Sequence, residues 1–310
     1  MIRILEPGPQ TTIQDLGRSG YLAVGIPPSG PMDRRAFVLA NRLVGNLDGT
    51  AGLECTLAGP RFEARTAGAF AVTGAEVPVL VNEAAVPMWT TVPLAAGDAV
   101  KVGTARAGVR AYVAFAGGID VPPALGSRST FLRGRLGGLA GRALAKDDVL
   151  TLGAAPPVRF RRVKARMVPA FGPEIVLRAV LGPQDDRFTE EGIATFLGSS
   201  YEVLPQSDRM GARLRGPRIG HRRGHDIISD GIALGSVQVP GDGQPIVLLS
   251  DRQSTGGYTK IATVCSFDVV GIGQARPGHR VHFQAVTVVE AHGLLRESLA
   301  SLEDAVEEVQ

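Results

Sequence analysis

The 310-residue sequence lacks the patterns that mark a self-sufficient ATPase or hydrolase. Gly-Lys never occurs, which excludes a Walker-type phosphate loop, and there is no G-x-S-x-G nucleophile elbow. No Ser-His-Asp set can be assigned. His221 and His225 are spaced for one face of a helix, but Gly224 and the nearby arginines argue against a metal site. We therefore predict no bound metal and a site that is shared with another subunit.

The sequence also has few cysteines, a small net charge and no long apolar run. Cys55 and Cys265 lie far apart, each within an apolar run, which is typical of buried thiols, with a disulfide left open. No apolar run approaches membrane-spanning length, and the start Met1–Glu6 is typical of a strand rather than of a signal peptide. Aromatic residues are sparse around the arginine clusters at 159–166 and 209–223, which disfavours nucleic-acid binding. The sequence thus predicts a cytoplasmic protein without nucleic-acid or membrane partners.

Glycine and proline are plentiful, at 40 and 21 residues, whereas long helical patterns are few. This composition favours short strands joined by turns, and the chain is longer than one core usually organises. We predict a mostly β fold with few helices. Its expected segments are an N-terminal domain over 1–155, a linker over 156–170, a C-terminal domain over 171–290, and a C-terminal helix or tail over 291–310.

Individual elements follow from local patterns. Asp33 is a typical N-cap, and the helix behind it should end at Gly45 or Asn46. A second, short helix is predicted over 189–197. Apolar runs predict strands at 70–72, 77–81, 100–102, 109–115, 149–152, 175–181, 201–204, 265–270 and 280–289.

Three short signatures recur in the same order in the two halves of the chain. Gly8-Pro9-Gln10 returns as Gly182-Pro183-Gln184, Leu57–Phe62 returns as Leu214–Ile219, and Ala96–Val100 returns as Pro277–Val281. The order suggests a duplicated, mostly β unit. Closed or nearly closed barrels are the natural form of such units, because closure removes exposed strand edges.

The stretch Ser229–Val264 carries the most informative pattern. Its apolar runs Ile232–Val239 and Ile246–Leu249 flank the turn Pro240–Gly243, which predicts strand–turn–strand. Hydrogen-bonding side chains and two adjacent glycines then follow in Ser250–Tyr258. Polar loops at the ends of buried strands are where small-molecule sites tend to lie, so we expect a binding site here rather than a plain exposed turn.

A second loop of interest lies in the first half. Gly25–Met32 contains three prolines and two glycines and cannot form regular structure. Asn41 lies beside the apolar stripe of the helix that follows. It is either a satisfied partner of the neighbouring loop or a substrate contact.

Five motifs carry a family resemblance: Gln14–Arg18, Gly25–Asp33, Leu125–Thr130, Ser207–Gly211 and Ser229–Val264. Together they resemble the allophanate hydrolase subunit 2 family, also called the biotin-dependent carboxyltransferase or KipA family. The family includes the C subunit of 5-oxoprolinase and the carboxyltransferase region of urea carboxylase. The resemblance runs over about residues 1–290 and implies two cyclophilin-like β-barrel domains in tandem, which fits the internal repeat.

The resemblance implies a subunit of a larger complex. Functions within the family are ATP-dependent opening of 5-oxo-L-proline to L-glutamate, carboxyl transfer from carboxybiotin to urea or a related amide, and control of a histidine kinase by a KipI/KipA pair. We favour the first, because the chain carries no biotin-carboxylase or biotin-carrier segment. The implied partners are a large 5-oxoprolinase subunit and a sister cyclophilin-like subunit, which resembles allophanate hydrolase subunit 1, KipI or the B subunit of 5-oxoprolinase. ATP would then be bound by the complex, and biotin belongs to the carboxyltransferase alternative.

The resemblance also implies which side chains act. Asp251 and Tyr258 are the candidate catalytic groups, with Asp251 placed to accept an N–H from an amide or lactam. Gln253 and Thr255 would orient the substrate.

Other positions would complete the predicted site. Gly256 and Gly257 would let backbone amides approach an oxyanion, and Gln238, late in the preceding strand, would point inward. The first half contributes candidate walls of the site: Ser29, Gly30, Met32 and Asn41.

Overall fold

The computed structural model describes residues 1–309, which form 22 strands and four α-helices. The first twelve strands are β1 (Ile2–Glu6), β2 (Gln10–Gln14), β3 (Gly52–Thr56), β4 (Arg61–Ala64), β5 (Gly68–Glu76), β6 (Val79–Val81), β7 (Ala84–Val86), β8 (Val92–Leu94), β9 (Ala99–Val102), β10 (Ala107–Phe115), β11 (Val149–Leu150) and β12 (Arg161–Val163). The remaining ten are β13 (Glu174–Leu181), β14 (Ser200–Val203), β15 (Gly211–Arg215), β16 (Asp226–Gly231), β17 (Ser236–Gln238), β18 (Ile246–Leu248), β19 (Thr255–Tyr258), β20 (Lys260–Val264), β21 (Arg280–Ala285) and β22 (Val306–Glu308). The helices are α1 (Arg34–Leu43), α2 (Glu190–Gly198), α3 (Val269–Gly273) and α4 (Val288–Glu303), and short 3-10 turns occur at Leu22–Val24, Ala165–Met167 and Asp185–Arg187.

The chain divides into two compact units. The first contains Met1–Arg18, Ser29–Phe171 and residues 301–309, and the second contains Ser19–Pro28 and Gly172–Ala300. The predicted fold class, mostly β with two cyclophilin-like barrel units in tandem, is confirmed.

The first unit contains two larger sheets around an apolar core. One has six strands in the order β11-β1-β4-β9-β6-β7, and the other has five in the order β2-β3-β10-β5-β8. Helix α1 packs on β5 and β10, with Phe37 edge-on against Tyr112. The predicted N-cap is confirmed, because the Asp33 carboxylate accepts a hydrogen bond from the amide of Ala36 at 2.8 Å. Strand β12 pairs with β22 and so ties the C-terminal segment to this unit.

The second unit is built on a closed seven-strand barrel in the order β13-β20-β17-β18-β15-β14-β21. The predicted hairpin is confirmed: β17 and β18 pair antiparallel, with Val237 opposite Val247. Two further strands, β16 and β19, form an antiparallel ribbon. This ribbon connects in sequence to barrel strands, since β16 precedes β17 and β19 runs directly into β20.

Several elements differ from the sequence prediction. The strand predicted over 280–289 ends at Ala285, and α4 begins at Val288. The strand predicted over 265–270 is wrong: a turn follows Cys265 and leads into α3. Asp268 makes the turn favourable, because both its carboxylate oxygens accept hydrogen bonds from the Arg178 guanidinium, at 2.7 Å each. The loop predicted over Ser250–Tyr258 is only half right, because Thr255–Tyr258 forms β19.

Cys55 and Cys265 are both buried free thiols. Within residues 1–309, no helix is both long enough and apolar enough to cross a bilayer.

Candidate functional site

A buried lysine marks the most unusual polar site in the second unit. Lys260, the first residue of β20, is only 2% exposed. Its ammonium donates a hydrogen bond to Oδ2 of Asp230 at 2.9 Å and lies 3.5 Å from the carbonyl oxygen of Gly231. The same hydrogen bond holds the pKa of Asp230 below its ordinary value. A buried ammonium is costly without a partner of opposite charge, so this pair explains how the fold tolerates Lys260.

Gln184 contacts both members of the Asp230–Lys260 ion pair. Its Oε1 accepts a hydrogen bond from the backbone N–H of Lys260 at 3.1 Å, and its Nε2 lies 3.5 Å from Oδ2 of Asp230. Its own backbone N–H donates to the carbonyl oxygen of Lys260 at 3.1 Å. Gln184 therefore fixes the strand that carries the lysine and also the carboxylate that neutralises it.

Gln238 lies directly opposite Lys260 in the β17–β20 pair, just beyond a register irregularity. Residues opposite each other in an antiparallel pair place their side chains on one face, so the amide and the ammonium share a face of the barrel wall. Gln238 is 2% exposed, and its Nε2 donor has no hydrogen-bond partner within residues 1–309. Its Oε1 lies 3.5 Å from Nε2 of Gln253. An unsatisfied buried N–H is costly, which makes it a candidate contact for a ligand oxygen.

Gly256 on the ribbon explains why the Gln238 amide is buried. A Cβ atom at Gly256 would lie 2.6 Å from Nε2 of Gln238 and 2.6 Å from Cδ1 of Ile232. Only a residue without a side chain permits so close an approach. Gly256 also pairs with Asp230 across the ribbon, so the same strand pair holds the carboxylate and covers the amide.

The polar side chains of this site are named the amide–lysine cluster: Gln184, Asp230, Gln238, Gln253 and Lys260. The structure thus brings three predicted residues together, since Gln238 and Gln253 belong to the cluster and Gly256 covers it. Thr255 is exposed and lies opposite Gly231 in the ribbon.

The other predicted ribbon residues lie further along β19. Gly257 is nearest to Ile227 and Ser229, where a Cβ would find ordinary spacing. Tyr258 is 41% exposed and pairs with Asp226, with its ring centre 6.3 Å from that of His225. Tyr258 is therefore an exposed ribbon residue that pairs with Asp226, whereas Gly256 pairs with Asp230 and covers the Gln238 amide.

Asp251 is engaged in an ion pair that the sequence did not reveal. Its Oδ2 accepts a hydrogen bond from Nε of Arg209 at 2.8 Å, and its Oδ1 accepts one from Nη2 of Arg209 at 3.1 Å. Both side chains are buried. The backbone N–H of Asp251 also donates to the carbonyl oxygen of Arg209 at 2.8 Å. This geometry suits a residue that positions the turn after β18, because both carboxylate oxygens are occupied.

The predicted wall residues of the first half lie in the first unit. Ser29 adopts a φ of 57°, and its buried Oγ has no partner within residues 1–309. Gly30 has a φ of 83° and lies tightly on the backbone of Leu16 and Gly17. The amide of Met32 donates to Oε2 of Glu54 at 2.8 Å. The loop that contains Gly30 and Met32 is therefore anchored by contacts with the Leu16–Gly17 backbone and with Glu54.

The side chain of Asn41 is hydrogen-bonded within the protein, which agrees with the first of its two predicted roles. Its Nδ2 donates to the carbonyl oxygen of Thr50 at 2.9 Å and lies 3.4 Å from that of Asp48, while its Oδ1 accepts from Asn46 at 2.9 Å. It is fully buried. Asn41 is thus the satisfied partner of the neighbouring loop.

A surface cavity of about 340 Å³ lies in the first unit. Two arginines line it, and both are engaged by the protein: Arg42 binds both carboxylate oxygens of Asp48 at 2.8 Å, and Arg161 donates to the carbonyl oxygen of Arg42 at 2.9 Å. We take the amide–lysine cluster as the candidate site instead, because within residues 1–309 the buried Nε2 donor of Gln238 lacks a partner.

Sequence reasoning missed Lys260, Asp230 and Gln184. The signal for Lys260 was a lysine at the head of an otherwise apolar strand segment, which is unusual because lysine is rarely buried unless it is paired. Gln184 stands out in the sequence only as part of the repeated Gly-Pro-Gln signature. Among residues 1–309, no group of three or more His, Cys, Asp or Glu side chains is arranged to hold a metal ion.

The cluster can bind a small planar amide. The Gln238 amide and the Lys260 ammonium are donors for a carbonyl oxygen, and donors preorganised around such an oxygen stabilise negative charge that develops on it. Asp230, about half exposed, can accept an N–H. Fold and site together define a mostly β protein of two units whose candidate site combines a buried lysine with glutamine amides.

Comparison with known proteins assigns the family. Residues 24–285 match the family described as carboxyltransferase domain, subdomain A and B, and the chain belongs to this family. It is 38% identical over 291 residues to the C subunit of 5-oxoprolinase from Escherichia coli (strain K12), covering 94% of this chain and 93% of that protein. It is also 33% identical over 326 residues to urea amidolyase of Lachancea kluyveri, covering 97% of this chain but only 18% of that protein.

A solved structure agrees with the fold. The crystal structure of the K. lactis urea amidolyase superposes with a TM-score of 0.93 at 33% identity, covering 98% of this chain and 20% of the other. The chain thus corresponds to about a fifth of the urea amidolyases that it matches.

Proposed function

We propose that this chain is a subunit of an ATP-dependent 5-oxoprolinase complex, which opens 5-oxo-L-proline to L-glutamate. The observation that carries the proposal is the unpaired, buried Nε2 of Gln238 opposite the buried ammonium of Lys260. Similarity over 93% of the length of a 5-oxoprolinase C subunit supports the choice of a lactam as the substrate.

The proposed roles follow from the contacts. Gln238 and Lys260 donate hydrogen bonds to the lactam carbonyl oxygen and stabilise negative charge there, and Asp230 accepts the lactam N–H. Gln184 positions the Asp230–Lys260 pair. The buried Arg209–Asp251 ion pair positions the turn that leads to Gln253.

The chain's sequence has no Walker-type loop, so in this proposal ATP is bound by a partner. A sister cyclophilin-like subunit and a large ATP-using subunit are the proposed partners. The chain itself contributes the amide–lysine cluster.

Carboxyl transfer to urea or a related amide is the second candidate. The family match and the TM-score of 0.93 to a urea amidolyase favour it. Urea is also a planar amide, and the same two donors would polarise its carbonyl group. In that case the complex would contain a biotinylated partner.

The test is purification of the complex by a tag on this chain, followed by assays with each substrate. We expect ADP release that depends on 5-oxo-L-proline, with one glutamate formed per substrate consumed. Lys260→Met should lower this turnover about 10²- to 10³-fold while the subunits still co-purify. Turnover of urea that requires biotin and bicarbonate, without turnover of 5-oxo-L-proline, would replace the proposal with the second candidate. Capture of a histidine kinase alone would overturn both.

A further inference from the structure

Arg252 carries a buried guanidinium that has no acidic partner in the described part of the chain, residues 1–309. It follows Asp251 in the turn after β18 and is 6% exposed. Its Nε donates to the carbonyl oxygen of Ile232 at 3.0 Å, and its Nη1 lies 3.4 Å from the carbonyl oxygen of Leu249. Within residues 1–309 its guanidinium makes no ion pair with a carboxylate, and its Nη2 makes no hydrogen bond.

Two other arginines of the same unit do form ion pairs with carboxylates. Arg209 binds both oxygens of Asp251, and Arg178 binds both oxygens of Asp268. Asp251 is adjacent to Arg252 in sequence, yet its carboxylate is turned to Arg209. The fold therefore leaves the charge of Arg252 without a counter-ion while it neutralises those of Arg209 and Arg178.

Burial makes this arrangement costly unless water or an anion reaches the remaining donors, and within residues 1–309 no Arg252 nitrogen is among the fully buried atoms that lack a partner. Burial lowers the pKa of Arg252, but an arginine side chain stays protonated in proteins. Two carbonyl dipoles offset only part of the cost of removing a full charge from water. A carboxylate would satisfy the remaining donors and the charge together, since guanidinium and carboxylate match each other's planar geometry.

Arg252 is joined to the amide–lysine cluster by two direct connections. The next residue, Gln253, belongs to the cluster through its contact with Gln238. Ile232, which accepts the hydrogen bond from Arg252, extends its side chain to Gly256, the residue that covers the Gln238 amide. On each route a single residue separates Arg252 from Gln238 or from Gly256.

We propose that the amide–lysine cluster takes a small amide or lactam that carries a carboxylate, and that Arg252 is the residue that recognises this carboxylate. The inference rests on the proposed function, because 5-oxo-L-proline is such a ligand, and it goes beyond it by assigning the selection against neutral amides to one side chain. Urea and unsubstituted lactams lack the charge that Arg252 requires.

The first test compares ligands on the unmodified full chain. Binding of 5-oxo-L-proline is measured by isothermal titration beside two neutral ligands, 5-oxo-L-prolinamide and 2-pyrrolidinone. The prolinamide keeps the size of the ligand and removes only the charge. We expect the anion to bind at least about tenfold more tightly than either neutral ligand. Equal affinities would overturn the inference whatever the variants do.

The second test changes the arginine. Arg252→Met keeps much of the buried aliphatic volume and removes the charge, whereas Arg252→Lys keeps the charge. We expect Met to abolish the preference for the anion and Lys to retain part of it. Arg178→Met is the matched control, because it breaks an ion pair of the same unit, and it should leave the preference unchanged. A preserved preference in a folded Arg252→Met variant would overturn the inference.

Assays of the assembled complex distinguish a failure of this inference from a failure of the proposed function. If Arg252→Met leaves the KM for 5-oxo-L-proline unchanged in an active complex, the inference fails and the function stands. If the complex does not turn over 5-oxo-L-proline but the chain still prefers anionic amides through Arg252, the function fails and the inference stands. Absence of binding to all three ligands, by chain and complex alike, overturns the inference.

Discussion

The Nζ atom of Lys260 lies 2.9 Å from Oδ2 of Asp230, and this ion pair joins barrel strand β20 to ribbon strand β16. Lys260 is almost fully buried, whereas the Asp230 carboxylate is half exposed. A ligand can therefore reach the pair from the carboxylate side and meet a cation that water reaches poorly. An electrostatic contact in such a setting is stronger than the same contact at an open surface.

Replacing the lysine should remove catalysis without unfolding the protein. Lys260→Met keeps a long side chain in the barrel wall, and the half-exposed Asp230 can turn to water. We expect turnover of the complex to fall about 10²- to 10³-fold, the usual effect of losing one donor to a developing oxyanion. Turnover and thermal melting of the same preparations provide the measurement. Lys101→Met, an exposed strand lysine of the first unit, is the control and should behave as the unmodified protein does.

Two adjacent glycines allow a sharper comparison. Gly256→Ala would place a Cβ 2.6 Å from both Nε2 of Gln238 and Cδ1 of Ile232, so the ends of these two side chains must move away from the ribbon. Gly257→Ala meets no atom closer than 3.4 Å. We expect the first change to weaken substrate binding about tenfold or more and the second to leave it unchanged. Equal effects in a titration with substrate would show that the ribbon does not hold the Gln238 amide in place.

Asp251 should matter first for stability. Asp251→Asn removes the charge that neutralises the buried Arg209, and breaking a buried ion pair from one side typically costs about 3 to 5 kcal/mol. Urea unfolding of the second unit, followed by hydrogen exchange, measures the loss. Glu202→Gln, which breaks the exposed pair with Arg215, should cost less than about 1 kcal/mol. Unchanged stability together with lost turnover in Asp251→Asn would instead assign Asp251 to the chemistry.

Acid should loosen the first unit through Asp15. Burial raises the pKa of Asp15, but hydrogen bonds from Ser127, Ser129 and the amides of Arg128 and Gly17 bring it below its ordinary value. The folded state then binds the proton less readily than the unfolded state. The stability that Asp15 contributes is full above the unfolded pKa of about 3.9 and is lost as the pH falls through the lower, folded pKa.

Asp15→Asn should therefore lower the unfolding free energy at pH 6 by about 2 kcal/mol and flatten its decline below pH 4. Unfolding curves between pH 6 and pH 2.5 provide the measurement. Glu6→Gln, an exposed carboxylate of the same unit, should change the value at pH 6 by less than about 0.5 kcal/mol. A decline below pH 4 that is as steep in Asp15→Asn as in the unmodified protein would exclude this role.

Local chemistry in the sequence predicted much of the fold. The Asp33 cap, the β17–β18 hairpin around Pro240–Gly243 and the strand at β10 were all correct, because each depends on residues that are near one another in the chain. The strand predicted at 265–270 failed because its apolar residues resemble a strand. Its actual turn depends on Arg178, which is distant in sequence.

The sequence by itself determined the family and the mostly β fold, since these follow from motifs, periodicity and turn residues, and it also predicted the stretch that carries most of the proposed site. Only the tertiary structure decided which polar side chains of that stretch are paired. Asp251 pairs with Arg209 and Asp230 with Lys260, whereas among residues 1–309 Nε2 of Gln238 has no partner and Arg252 has no counter-ion. Partner choice among buried charges depends on strands that meet across the barrel and the ribbon, and the spacing of residues along the chain does not encode those meetings.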